Sequence, residues 1–269
     1  MNKTKVGIVG CGSIGENVAS FIDSELKDNV ILWAVADREE EKATCLSSKC
    51  RTKPLVTDTD SLIKEVDLVL ETASIEAARY ILKKACAYKK DVVVLSVGAF
   101  MAEPGIIKKA RKAGIKIYIP SGAVCGIDGL SSLSLGKINK VSLVTSKPPA
   151  GLVGVEYLKK RKINVLGLKQ PKIVFRGSVK DAVKYFPQNI NVAATLFLAA
   201  DFAPVQVCIS ADPSLKRNVH AIEIDAQDAH VNIKVENVPS DSNPKTSALA
   251  ALSTRNLLRK MFASLRVGS

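Results

Sequence analysis

Along the first 120 positions, short apolar runs alternate with amphipathic stretches. Lys5-Val6-Gly7-Ile8-Val9 is the first run and Val30-Ile31-Leu32-Trp33-Ala34-Val35-Ala36 the second. Leu55-Val56, Val66-Asp67-Leu68-Val69-Leu70, Asp91-Val92-Val93-Val94-Leu95 and Ile115-Lys116-Ile117-Tyr118-Ile119 follow. Continuous runs of this kind, bounded by polar residues, predict strands buried on both faces. Between them, Glu76 to Ala87 has helical periodicity. Pro104 fits the first turn of a helix that runs to Ala113, with Gly114 as its C-terminal cap. Alternating strand and helix predicts an α/β fold with a doubly wound parallel sheet over residues 1–120.

The pattern changes after Pro120. Ser121-Gly122-Ala123 is a turn of small residues. Lys140 to Thr145 and Lys172 to Val179 read as strands, and Asn191 to Ala203 as a strongly apolar helix. Gln206 to Ser210, Val219 to Ala226 and His230 to Glu236 read as three further strands. Strands clustered in this way predict an α+β second domain over 121–239, with an antiparallel or mixed sheet. A loop from Asn237 to Lys245 leads to a helix from about Thr246 to Arg259. The segment 240–269 is expected to pack back on the first domain.

The first strand runs into Gly10-Cys11-Gly12-Ser13-Ile14-Gly15, a Gly-x-Gly-x-x-Gly turn with a helical pattern behind it. The second strand ends at Asp37, 22 positions after Gly15. Strand, glycine turn, helix and distal acid form a dinucleotide-binding fingerprint. Gly10 allows the turn, Gly12 lets the backbone approach a pyrophosphate, and Gly15 lets the helix lie close to the strand. The amide groups of the helix start at Ser13 and Ile14 then meet the phosphates. Asp37 can accept from the ribose hydroxyls, which favours NAD. Arg38 follows at once and could pair with a 2′-phosphate, so NADP use stays open. Ligands of such sheets bind beyond the carboxyl ends of the strands. Ala73 and Ser74, after the Val66–Leu70 run, are therefore candidate cofactor-lining residues, as is the stretch Ser96-Val97-Gly98.

The chain has 269 residues, 47% of them hydrophobic and 24% charged, as in a soluble protein of one or two domains. No run approaches the length of a membrane span, and the first strand begins too early for a signal peptide, so a cytoplasmic location is expected. The formal charge of +13 brings nucleic acid to mind. The basic residues are dispersed, however, and only Lys159-Lys160-Arg161-Lys162 forms a block. Aromatics are 5% and none interleave with it, which argues against a nucleic-acid partner and for solvated faces that attract anionic ligands. Six cysteines lack metal-site spacing; free thiols are expected and no metal.

His220 shares a strand face with Ile222 and Ile224, so it is either a core histidine or an acid/base at the cofactor cleft. Asn189 and Asn191 either start a helix or bond the cofactor or substrate. Taken in order, the glycine turn, Ser121-Gly122-Ala123, Lys147-Pro148-Pro149, Phe186-Pro187-x-Asn189-x-Asn191-Val192-Ala193, Arg217-Asn218-x-His220 and Asn243-Pro244-Lys245-Thr246-Ser247 resemble the L-aspartate dehydrogenase family, its archaeal type in particular. The resemblance spans almost the whole chain, and the later motifs are more specific than the glycine turn.

The resemblance implies a homo-oligomer, a dimer or tetramer, whose second domain is catalytic and oligomerising. It implies NAD(P)-dependent oxidation of L-aspartate to iminoaspartate, and then oxaloacetate and ammonia, in the service of NAD biosynthesis. It makes His220 catalytic and Ala123 and Asn189 cofactor contacts. Aspartate carries two carboxylates, for which Lys147, Arg217, Lys245 and Asn191 are candidate partners. The sequence departs from the family at Cys125, Gly129 and Ser146. A homoserine dehydrogenase-like enzyme and a non-catalytic nucleotide sensor are the alternative readings.

Overall fold

A computed structural model describes residues 3–186, 190–240 and 243–268, with the backbone alone at 243–246. The chain divides into two compact units. The first comprises the residues up to Pro120 and Ala250–Arg266, the second Ser121–Leu249 and the residues from Val267 on.

In the first unit, β1 (Thr4–Val9), β2 (Val30–Ala36), β3 (Leu55–Val56), β4 (Leu68–Glu71), β5 (Asp91–Val94) and β6 (Ile117–Tyr118) alternate with helices. These are α1 (Ser13–Glu25), α2 (Glu40–Lys49), α3 (Thr59–Glu65), α4 (Ile75–Tyr88), α5 (Ala99–Ala102) and α6 (Ile106–Ala113). All strands pair in parallel, in the order β3-β2-β1-β4-β5-β6. This is the doubly wound order, with its switch point between β1 and β4. Every residue of β4 is buried, as are Val92, Val93 and Val94 of β5, which explains their continuous apolar sequence. The expectation for Pro104 is corrected. It lies in a turn closed by the Ile106 N–H on the Glu103 carbonyl, where Glu103 caps α5, and α6 starts at Ile106. Gly114 does cap α6, at a φ of 73°.

The second unit holds α7 (Ile127–Leu133), β7 (Ile138–Lys147), a 3-10 turn at Pro149–Leu152, α8 (Glu156–Lys160), β8 (Lys172–Ser178), α9 (Val179–Tyr185), α10 (Asn191–Ala199), β9 (Val205–Ala211), β10 (Val219–Ala226), β11 (His230–Glu236), β12 (Pro239–Ser240) and β13 (Asn243–Ser247). The final helix, α11 (Ala248–Phe262), begins at its end. The main sheet runs β11-β10-β7-β9-β8 and is mixed: β7 and β9 are parallel, and the other neighbours antiparallel. One face of β7 and β10 carries Val141, Leu143, Thr145, Lys147, His220, Ile222 and Ile224, all buried. The other carries Lys140, Ser142, Val144 and Glu223, exposed or half-buried.

Among the boundaries that differ from expectation, three have a visible local cause. The strand from Lys172 stops at Ser178, whose side chain accepts from the Asp181 N–H in a capping box that opens α9. The helix from Asn191 stops at Ala199, because Asp201 and Phe202 adopt left-handed φ values of 47° and 65°. The stretch from Asn237 to Lys245 is not a plain loop. It contains the β12–β13 pair, which delays the last helix to Ala248.

In the first unit, Val6, Ile8, Ile22, Leu32 and Leu46 form one core cluster with Leu258 of α11, which is fully buried. We expect Leu258→Ala to destabilise this unit by about 2–5 kcal/mol, the usual loss for emptying a fully enclosed leucine site. A denaturant melt checks it. An unchanged midpoint would place the helix outside the core.

Candidate active site

The glycine turn is built by close backbone packing. Gly10 has a φ of +105°, and a Cβ there would lie 2.7 Å from the Thr72 carbonyl and 2.8 Å from the Ala73 nitrogen. A Cβ on Gly15 would overlap the Gly10 carbonyl oxygen, while one on Gly12 would meet open space. Thr72 Oγ1 donates to the Gly10 carbonyl at 2.6 Å. No side chain caps α1, whose N-cap is Gly12 and whose first turn contains Ser13 and Ile14. An uncapped helix start beside open space is what a pyrophosphate needs.

Asp37 faces this turn. Its Oδ2 accepts from the Cys11 N–H at 2.7 Å and its Oδ1 from the Glu39 N–H at 3.0 Å. A carboxylate has capacity beyond these two bonds, enough for ribose hydroxyls. Arg38 is almost fully exposed, with its Nε 3.7 Å from Glu39. Burial, then Asp37, pushes the Cys11 thiol up to about 12, so Cys11 packs and does not react.

Ser74 accepts from the Ala77 N–H and so caps α4. The Ala73 N–H donates to Glu71, the fully buried last residue of β4. Glu71 also accepts from the Leu95 N–H, the Ser96 N–H and the Ser96 hydroxyl. Burial pushes its carboxyl up, against the hydrogen bonds that pull it down. Residue-level reading missed Glu71. The available signal was an acid closing a run, Leu68-Val69-Leu70, that is otherwise apolar.

In the second unit, antiparallel register sets His220 of β10 opposite Thr145 of β7. Thr145 Oγ1 and His220 Nδ1 are hydrogen-bonded at 3.0 Å, which leaves Nε2 for another partner. Lys147, two residues beyond Thr145, shares this face and is 7% exposed. Burial, then the Lys147 charge, holds the His220 imidazole down at about 4. Burial alone holds Lys147 at about 8. At neutral pH the pair is therefore a neutral imidazole beside an ammonium.

Lys147 lines a cavity of about 1270 Å³ within this unit. Lys160, Arg161, Lys184, Lys216 and Arg217 also line it, against one carboxylate, that of Glu156, among the described lining residues. Such a surplus of cations suits a dicarboxylate. His220 is not among the described residues that line the cavity. Asn191 starts α10 and is not among the described lining residues, and the Lys245 side chain and Asn189 lie outside the described residues. The Ala123 carbonyl accepts from Asn237 Nδ2 at 2.9 Å, and the Ser247 hydroxyl donates to Asn237 Oδ1. The buried Asn237 thus ties the Ala123 turn to the cavity wall, a role with no sequence motif to announce it. Of the departures, Cys125 is exposed, and Ser146 projects from the face opposite Lys147.

Residues 128–261 match the family model described as aspartate dehydrogenase, C-terminal, and residues 10–120 that described as homoserine dehydrogenase, NAD binding domain. L-aspartate dehydrogenases of Methanosarcina acetivorans and Methanocaldococcus jannaschii are 43% and 42% identical over 270 residues, covering 98% of this chain and 99% of each relative. The crystal structure of an aspartate dehydrogenase from Thermotoga maritima matches with a TM-score of 0.78 and 28% identity, over 99% of this chain and 100% of that one.

Two outcomes follow from this geometry. Gly15→Ala forces a methyl group into the Gly10 carbonyl, and we expect NADH binding, read by fluorescence titration, to fall below detection. Folded His220 takes a proton only near pH 4, whereas the unfolded side chain takes one near 6.5. Between these values the unfolded state binds more protons, so stability falls as pH falls. Relative to His220→Gln, the native chain should lose on the order of 3 kcal/mol from pH 7 to pH 4. Parallel melting curves for the two proteins would contradict a buried neutral histidine.

Proposed function

The chain belongs to the L-aspartate dehydrogenase family, and we propose how its residues share out the NAD(P)-dependent oxidation of L-aspartate. The product is iminoaspartate, which water converts to oxaloacetate and ammonia. The observation that carries the assignment is the buried His220 under the charge of Lys147, which itself lines a cation-rich cavity.

Gly10, Gly12, Ser13, Ile14 and Gly15 hold the pyrophosphate, and Asp37 holds the adenosine ribose. Because Asp37 points at the turn and Arg38 points to solvent, NAD is preferred over NADP. Ala73, Ser74, Ala123 and Asn189 line the rest of the cofactor. What NAD(P) supplies when bound is a hydride acceptor for the substrate Cα–H.

Lys147 and Arg217 pair with the substrate carboxylates, and Lys245 is a further candidate contact. His220 receives a proton at Nε2 from the amine or from the water that attacks the imine, while Thr145 fixes its ring at Nδ1. The Lys147 charge is one of the two causes that keep His220 neutral. A substrate carboxylate against Lys147 offsets that charge and raises the proton affinity of His220 when substrate is bound.

The chain acts as a homo-oligomer in the cytoplasm and supplies NAD biosynthesis. The part-exposed sheet face around Val144, crossed by the Lys140–Glu223 ion pair, supports a second copy as partner. The free cysteines fit a reducing compartment. Among the described residues, no helix is long and apolar enough to cross a membrane.

NAD(P)H formation with L-aspartate, run against homoserine and glutamate and with each cofactor, tests the reading. Aspartate with NAD should give the highest kcat/KM. His220→Ala should lose about 10²–10⁴ in kcat with NADH affinity unchanged. Near-native turnover of that variant would remove His220 from the chemistry.

A further inference from the structure

Glu71 is the last residue of β4, next to the switch point, and its side chain has no exposure. Its four hydrogen bonds go to two different loops. Oε1 accepts from the Ala73 N–H at 2.8 Å and the Ser96 hydroxyl at 2.8 Å. Oε2 accepts from the Leu95 N–H at 3.1 Å and the Ser96 N–H at 2.8 Å. One carboxylate therefore bridges the segment after β4 and the segment after β5.

The bridge extends further. The peptide between Thr72 and Ala73 is the surface against which Gly10 packs, and Thr72 Oγ1 donates to the Gly10 carbonyl. The position of Ala73 thus sets the position of the glycine turn. A buried carboxylate is costly to keep, and a fold needs no such group merely to end two strands. An apolar residue would fill the same space. What the carboxylate adds is two oxygens that gather donors from separate loops.

We propose that Glu71 is a positioning residue for the dinucleotide, tying the glycine turn, the Thr72–Ser74 loop and the Ser96–Gly98 loop into one rigid cradle. The inference rests on the reading of these segments as cofactor-lining. It assigns Glu71 no contact with substrate and no part in proton transfer.

Glu71→Gln tests it sharply. A glutamine oxygen can still accept from Leu95 and Ser96, but its amide group then faces the Ala73 N–H, donor against donor. The strap should open at Ala73 and hold at Ser96. Hydrogen exchange of the Ala73 amide should accelerate while that of Ser96 changes less. NADH affinity, measured by fluorescence titration, should fall about tenfold or more. KM for NAD should rise with it, while KM for aspartate stays within about twofold of the native value, since the cation-lined cavity is untouched.

A purely structural role would lower the melting temperature and leave the folded protein's NADH affinity and KM for NAD as they were; that result overturns the proposal. If Glu71→Gln does not fold, Ser96→Ala removes one donor and leaves the carboxylate in place. Its NADH affinity should drop a few-fold, and native affinity in that variant also overturns the proposal. Failure of the native protein to bind NADH would instead overturn the cofactor reading on which the inference stands.

Discussion

The close approach of two stretches of backbone at the β1–β4 switch point governs the first unit. Gly10 can touch the Thr72–Ala73 peptide only because neither Gly10 nor Gly15 has a Cβ. That contact is repulsive for any other residue pair, so it acts as a geometric filter rather than a source of stability. It places the start of α1 beside open space, with Asp37 turned toward the Cys11 amide. The sheet order and the burial of β4 and β5 hold the approach in place from below, and Glu71 holds it from the side.

The second unit meets a different constraint. Its sheet buries a histidine and a lysine on the face that otherwise packs Val141, Leu143, Ile222 and Ile224. Burying both depresses both proton affinities, to about 4 and about 8. We propose that the two carboxylates of the substrate meet this face of the sheet through Lys147 and its cationic neighbours. The cationic lining that includes Lys147 suits an anionic ligand of this kind.

Most of the first unit was legible in the sequence, because a buried parallel strand has no alternative to an apolar run. β2 and the β10–β11 pair were readable to the residue for the same reason: their period and their flanking turns agree. The glycine turn and Asp37 were readable because each residue type is forced by geometry. His220 could be placed on a face, but strand alternation alone left it between core and chemistry; the structure adds its register with Thr145 and the nearby charge of Lys147. Glu71 and Asn237 were not legible. Each has its distinctive hydrogen bonds to residues far along the chain, Ser96 for Glu71 and Ala123 for Asn237, and no local pattern marks such partners. The β12–β13 pair and the short helices α7 and α8 escaped notice because elements so short carry too little periodicity.

Direct hydride transfer from aspartate to the nicotinamide is the central claim, and isotopic labelling tests it most directly. With L-aspartate deuterated at Cα and unlabelled NAD, the account predicts one deuterium on the reduced nicotinamide ring for each ammonia released. Mass spectrometry of the isolated NADH reads this outcome. Unlabelled NADH alongside ammonia release, or label transfer only from another amino acid, would contradict it.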